Sequence, residues 1–213
     1  MGVIKRKIRN LLIFVAISVL IAMLVIAYTY YTKSKEMQAF YTSAYTKAFE
    51  QTEITSAFIE TILENKNNVT SHEILSHLSD IHNSLDIVAK DFELLSSRFS
   101  SNKPNTNNNF MRDLIQLYSD EITRLQSELL KNNSQDDFDD TKGILFTRLA
   151  LMNADLQKII IIDTPQLARY TYDQTSQVWV KLVNTLEYRE VTRTYKLKYS
   201  HLFAKGFFLP FKK

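Results

Sequence analysis

Between Leu11 and Tyr31 the chain carries no charged residue, and no other feature restricts its folding as much. Twenty-one residues, wound as an α-helix at 1.5 Å each, measure about 31 Å, roughly the hydrocarbon thickness of a bilayer. The only polar groups in the stretch are Ser18, Thr29 and the hydroxyls of Tyr28, Tyr30 and Tyr31. Tyrosines gathered at one end of an apolar run suit a membrane–water interface.

Three readings of this stretch compete: a buried core helix, a secretion signal that is removed, and an anchor that stays. A soluble core seldom uses an uncharged run so long. A basic start, with Val25 and Ala27 as small residues before a cut, fits a signal, but the apolar part exceeds the usual ~7–15 residues of such signals. Helical patterning also continues from the tyrosines into the following segment. The sequence therefore predicts a retained transmembrane anchor over residues 11–31, preceded by a short basic head over 1–10. Lipoprotein processing is excluded, since there is no cysteine to acylate. Ala16, Ala22 and Ala27 are small, but no GxxxG face marks a helix-pairing surface within the lipid.

Lys5, Arg6, Lys7 and Arg9 precede the span, against Lys33 and Lys35 beyond it. Basic residues near a span stay on the cytoplasmic side, so the head is expected inside and the remainder outside or in a periplasm. This places the chain in a bacterial cytoplasmic (inner) membrane as a single-pass protein. The absence of cysteine suits an envelope domain that is stable without disulfides. Asn68-Val69-Thr70 and Asn132-Asn133-Ser134 match glycosylation acceptors only by chance in such a setting.

The formal charge of +3 conceals three zones: all 23 acidic residues fall between Glu36 and Glu190, while residues 1–35 and 191–213 are basic only. An acidic body with basic ends argues against nucleic acid, whose binders gather Lys and Arg on one face. It favours anionic lipid headgroups, met through both ends.

With 3 glycines and 3 prolines in 213 residues, turns are few and long helices are favoured. The anchor is expected to run on to about Glu64, with Met37, Phe40, Ala44, Ala48, Phe58 and Ile62 on its inner face. A second helix starts after Ser71 as N-cap, with Leu78, Ile81, Leu85, Val88, Phe92, Leu95 and Phe99 alternating at steps of three and four, a repeat that calls for knobs-into-holes packing. A polar connection follows from Ser100 to Asn109. The third helix carries Phe110, Met111, Leu114, Tyr118, Ile122, Leu125 and Leu129. The fourth, from about Thr141, carries Leu145, Leu149, Met152, Leu156 and Ile159. Asp163 or Thr164 with Pro165 opens a fifth, running to about Arg189, with a kink or interruption near Asp173 to Ser176 as the alternative. Short connections imply antiparallel neighbours. The fold class is thus all-α: one transmembrane helix continuing into an elongated antiparallel bundle over residues 32–190, followed by an extended basic aromatic arm over 191–213.

In that arm VTRTYKLKY alternates as a strand does, which gives an extended arm or an edge ribbon made with another copy. Three uses of the final residues stay open: packing over the bundle end, docking onto a protein, or insertion at the lipid interface. The last sets Phe203, Phe207, Phe208 and Phe211 at the headgroup boundary, with Lys205, Lys212 and Lys213 facing phosphates.

The residues offer no reaction. His72, His77 and His82 are five apart and diverge around a helix, so they do not converge on one metal ion. Ser71-His72-Glu73 is contiguous, whereas a nucleophile, base and orienter must line up in space. Asp136, Asp137, Asp139 and Asp140 lack the ordered calcium loop with its glycine and closing glutamate, and instead favour a helix start. No cofactor is expected. What remains is a non-catalytic accessory or structural subunit of a membrane assembly, with other membrane subunits as partners and self-association open. The alternative is a ligand-binding sensor that signals through a partner's span.

Overall fold

The computed structural model describes the backbone of residues 2–99, 109–131, 135–162, 164–167, 172–200 and 203. Among these residues all regular secondary structure is helical: α1 (Gly2–Glu64), α2 (Ser71–Phe99), α3 (Phe110–Lys131), α4 (Gln135–Ile160), α5 (Thr164–Leu167), α6 (Tyr172–Thr185) and α7 (Arg189–Lys198). Two compact units divide it, Met1–Tyr41 and Thr42–Lys213.

The first unit belongs to α1, and one part of it is long and apolar enough to cross a membrane by length and composition. Its most apolar window has a mean hydropathy of 2.7 and is nowhere buried by the rest of the protein. Leu12, Phe14, Leu20, Met23, Leu24 and Ile26 are all largely exposed.

The second unit is built around a core from α1, α2, α3 and α4. On α2, Leu78, Ile81, Leu85, Val88 and Phe92 are buried as their spacing predicts; the side chains of Leu95 and Phe99 lie outside the described residues. All seven expected positions of α3 and all five of α4 are buried. Hydrogen bonds fix the register between neighbours. Lys47 Nζ reaches Asp91 at 2.7 Å and Gln51 Nε2 reaches Ser84 at 2.8 Å. Ser119 Oγ donates to Asp86 at 2.9 Å, and Arg112 reaches Glu93 at 3.5 Å. Tyr118 donates to Asp155 at 2.6 Å, and Arg148 to Glu128 at 3.2 Å. In each pair the residue numbers rise on one helix as they fall on the next, so successive helices run in opposite directions. Gln157 Nε2 donates to Ser56 at 2.8 Å and joins α4 back to α1. Helix α3 also packs against α6 and α7.

Five expectations are corrected. The buried stripe of α1 is Tyr45, Ala48, Thr52, Thr55, Ile59 and Ile62, again at steps of three and four, whereas Met37 and Phe58 are exposed and Phe40 and Ala44 only half-buried. Two threonines complete that stripe because their hydroxyls are satisfied locally: Thr52 donates to the Ala48 carbonyl at 2.7 Å, and Thr55 shares a hydrogen bond with Ser84 at 2.6 Å. The cap of α2 is Thr70, not Ser71. Its amide and hydroxyl each donate to Glu73 Oε2 at 2.8 Å, and the Glu73 amide returns to Thr70 Oγ1 at 3.3 Å, a reciprocal capping box. The Thr70 amide, followed by its hydroxyl, holds the Glu73 carboxyl below its ordinary value.

Helix α4 begins at Gln135, so the Asp136–Asp140 run belongs to its first turns and does not precede them; the aspartate side chains lie outside the described residues, as do Ser100–Asn108 and the expected Asp163 cap. The expected fifth helix is helical over Thr164–Leu167 (α5) and Tyr172–Thr185 (α6), with residues 168–171 outside the described residues and Asp173–Ser176 inside α6; it ends at Thr185, not near Arg189. Residues 191–198 are helical, neither strand nor extended arm. Their alternation of two contains a period of four, and a helix resolves it: Val191, Tyr195 and Tyr199 are buried while Arg193 and Leu197 are exposed.

Leu85→Ala should lower unfolding free energy by about 2–5 kcal/mol, the range for a buried leucine. Ile87→Ala, two residues away and 44% exposed, should change it by less than about 0.5 kcal/mol. Denaturant unfolding followed by helical circular dichroism checks both, and equal effects would contradict the core assignment.

Candidate functional site

Two surfaces carry the residues that the sequence singles out. The first is the apolar part of α1. Its hydroxyl side chains turn back on their own helix: Ser18 donates to the Phe14 carbonyl at 2.9 Å, Thr29 to Val25 at 3.0 Å and Thr32 to Tyr28 at 3.0 Å. Each of these three hydroxyls is thereby satisfied without water, as a hydrocarbon surrounding requires. Tyr28, Tyr30 and Tyr31 are exposed at the end of the run, and Lys35 Nζ lies 4.7 Å from the ring centre of Tyr31, the contact of a basic stem folded along an aromatic face.

The second surface is built where α7 docks on α3 and the residues leading into it meet α4. Three carboxylates line the dock, and each receives a tyrosine hydroxyl. Asp155 is fully buried and accepts from Tyr118 at 2.6 Å, from the Glu187 amide at 2.6 Å and from the Tyr188 amide at 3.0 Å. Glu121 accepts from Tyr188 and from Arg124. Asp113 accepts from Tyr199 and pairs with Lys198 at 2.6 Å and Arg112 at 2.7 Å. Tyr199 also sets its ring edge-on to Phe110, with centres 5.1 Å apart.

Helix α4 supplies both sides of the break between α6 and α7. Asp155 holds the amides ahead of α7, and Lys158, one turn later, donates to the last carbonyl of α6 at Thr185 at 2.8 Å and to Glu187 at 2.7 Å. An anion at a helix N-terminus and a cation at a C-terminus are the favourable pairings. No glycine or proline is needed to turn the chain at Leu186–Tyr188.

Electrostatics follow from this burial. Burial, then the neighbouring Asp155 charge and its hydrogen bond, pushes the Tyr118 hydroxyl well above the ordinary tyrosine value. Burial and then Glu121 do the same for Tyr188. Burial raises the Asp113 carboxyl, but hydrogen bonds from Lys198, Tyr199 and Arg112 outweigh it and the net shift is downward.

Of the expected tail contacts, Phe203 is described. It is half-buried against α7, edge-on to Tyr195 at 6.4 Å, with Lys196 Nζ 5.8 Å from its ring centre. Lys205, Phe207, Phe208, Phe211, Lys212 and Lys213 lie outside the described residues. Sequence reasoning passed over Asp113, Glu121, Asp155, Tyr188 and Tyr199. The signal was a carboxylate next to a core leucine, as in Asp113-Leu114 and Asp155-Leu156, with tyrosines four apart at 195 and 199. His82 faces Ser119 and Asp86. Among the described residues no group of three or more His, Asp or Glu is placed to hold a metal ion. A cleft of about 650 Å³ lies beside the dock, lined by Arg148, Leu151 and Leu186–Glu190.

No protein-family model matches the chain, and no curated protein or solved structure matches it either.

Asp155→Ala should cost about 3–5 kcal/mol, because it strands a hydroxyl and two amides in the interior. Hydrogen exchange should rise most in α7, and uniform exchange across the bundle would refute the clamp. Stability should also depend on pH at both extremes. Tyr118 and Tyr188 are raised on folding, so their contribution is full below the ordinary tyrosine value of 10.0 and falls as pH climbs through the higher folded values. Asp113 is lowered, so its contribution is full above the ordinary aspartate value of 3.8 and is lost as pH falls through the folded value. Melting curves across pH check the signs.

Proposed function

We propose that the protein is a non-catalytic, single-pass subunit of a bacterial cytoplasmic membrane, held by residues 11–31. Its elongated antiparallel bundle lies on the outer or periplasmic side and positions or stabilises a larger membrane assembly. The observation that carries this reading is an unburied apolar helix in a chain whose bundle closes its own core. Twelve large apolar residues between Leu12 and Ile26 are roughly half or more exposed. At about 25 cal/mol per Å², removing that surface from water is worth on the order of 15 kcal/mol. The entire net stability of a domain is about 5–15 kcal/mol. Such a helix needs lipid or apolar protein around it.

The inward-turned hydroxyls of Ser18, Thr29 and Thr32 support lipid, and the tyrosines at positions 28, 30 and 31 suit its boundary. The bundle's conspicuous polar constellation at α7 supports a mechanical role. Asp113, Glu121 and Asp155 are all engaged by donors that fasten one helix to others, an arrangement suited to holding shape. Partner membrane subunits are the expected contacts of an anchor that carries no sequence signature for pairing with itself.

Extraction from native membranes in mild detergent should recover the chain with other membrane proteins in fixed stoichiometry. Recovery alone in several detergents would overturn the subunit reading, and release by alkaline carbonate without detergent would overturn the anchor itself. Protease added outside sealed cells or spheroplasts should degrade the bundle and spare the first ten residues.

A further inference from the structure

We infer that the outward face of α7 is a docking surface for anionic membrane lipid. Arg189, Arg193 and Lys196 project from it at helical steps of four and three, beside Leu197, which is 70% exposed. Together with Thr192 they line a shallow groove of about 530 Å³. Among the described residues none of these three cations has a carboxylate partner, whereas Lys47, Arg112, Arg124, Arg148, Lys158 and Lys198 are all ion-paired. Three cations without a carboxylate partner, gathered within two turns of one helix around an exposed leucine, present a site for external negative charge.

Position selects lipid as the occupant. Helix α7 runs opposite to α3, with Glu190 beside Arg124 and Tyr199 beside Asp113. Its C-terminal end therefore meets the Phe110 end of α3, which Arg112 ties to Glu93 near the end of α2. Lys47 and Asp91, with Phe49 against Phe92 at 5.8 Å, bring the start of the bundle's α1 segment to that same end. The chain thus enters the bundle at the end where α7 delivers Phe203. Basic residues interleaved with exposed apolar ones are what an anionic bilayer surface retains. Each cation near such a surface adds roughly fivefold in affinity, and three add roughly a hundredfold.

This inference rests on the membrane-anchored reading, and one experiment separates the two. The chain contains no cysteine, so single nitroxide labels at Leu197→Cys, Leu130→Cys and Leu20→Cys can be read individually in the full chain. The chain is reconstituted in vesicles of phosphatidylcholine alone, or with about one third phosphatidylglycerol as the anionic component. Accessibility to oxygen and to a water-soluble relaxant places each label by depth. The label at 197 should move to headgroup depth only in the anionic vesicles, and that at 130 should stay in water in both.

Reversing Arg189, Arg193 and Lys196 to Glu should lower the docked-to-free ratio by more than about a hundredfold, since it adds three repulsions to three lost attractions. The milder triple change to Gln should lower it in the same direction, and salt near ~1 M, where screening acts within about 3 Å, should release the label. Should the 197 label remain in water in anionic vesicles, or be shielded from both reagents in either vesicle as beneath a second protein, the inference is overturned while a lipid-exposed label at 20 leaves the anchor standing. A label at 20 that reports water overturns the anchor as well.

Discussion

One turn of α4 controls how the second half of the protein closes. Asp155 has no contact with solvent, yet every donor around it is drawn from a part of the chain that would otherwise bear an unmet polar group. Buried amides without acceptors cost as much as lost hydrogen bonds. A carboxylate in this position removes that cost when the helix breaks at Leu186–Tyr188. Lys158 imposes the matching condition on α6, since its ammonium reaches the final carbonyl of that helix. Opposite charges one turn apart therefore dictate where one helix stops and the next begins.

From that fixed point α7 is laid along α3, and its two faces acquire different electrostatic roles. The inner face carries Tyr188, Tyr195 and Tyr199 against a helix whose buried surface includes Asp113 and Glu121. Aromatic rings supply area and their hydroxyls supply donors, so carboxylates can be enclosed without a cation for each oxygen. The outer face keeps its positive charge because the carboxylates of α3 are already engaged from within. Docking and charge separation are consequences of the same three contacts.

Much of this architecture is legible in the residues. The apolar run from Leu11 to Tyr31, the stripes of α2, α3 and α4, and the polar breaks between them follow from a period of about three and a half. Where apolar residues alone fill a buried face, as at Leu78 to Phe92, reading the pattern is enough. It misleads where hydroxyls substitute for methyls. In α1 the true inner face passes through Thr52 and Thr55, and a search for apolar letters slides onto Phe58. The Thr70 cap was hidden by an equally good candidate one residue later, and only the partner three positions on distinguishes them. At α7 a strand and a helix were both permitted by the letters, because a repeat of two contains a repeat of four.

The amino-acid pattern alone dictates that this chain is helical, that one segment is too apolar for water and that charge is concentrated by sign along its length. These are local properties, set by neighbouring side chains and their transfer energies. Which carboxylates are buried, where α6 ends, and that residues 191–198 coil against α3 are decisions of the tertiary structure. Their causes lie between residues tens of positions apart, such as Asp155 with Tyr188 and Asp113 with Tyr199. A backbone segment with two acceptable local conformations takes the one that satisfies distant polar groups, and those become neighbours only after the bundle has formed.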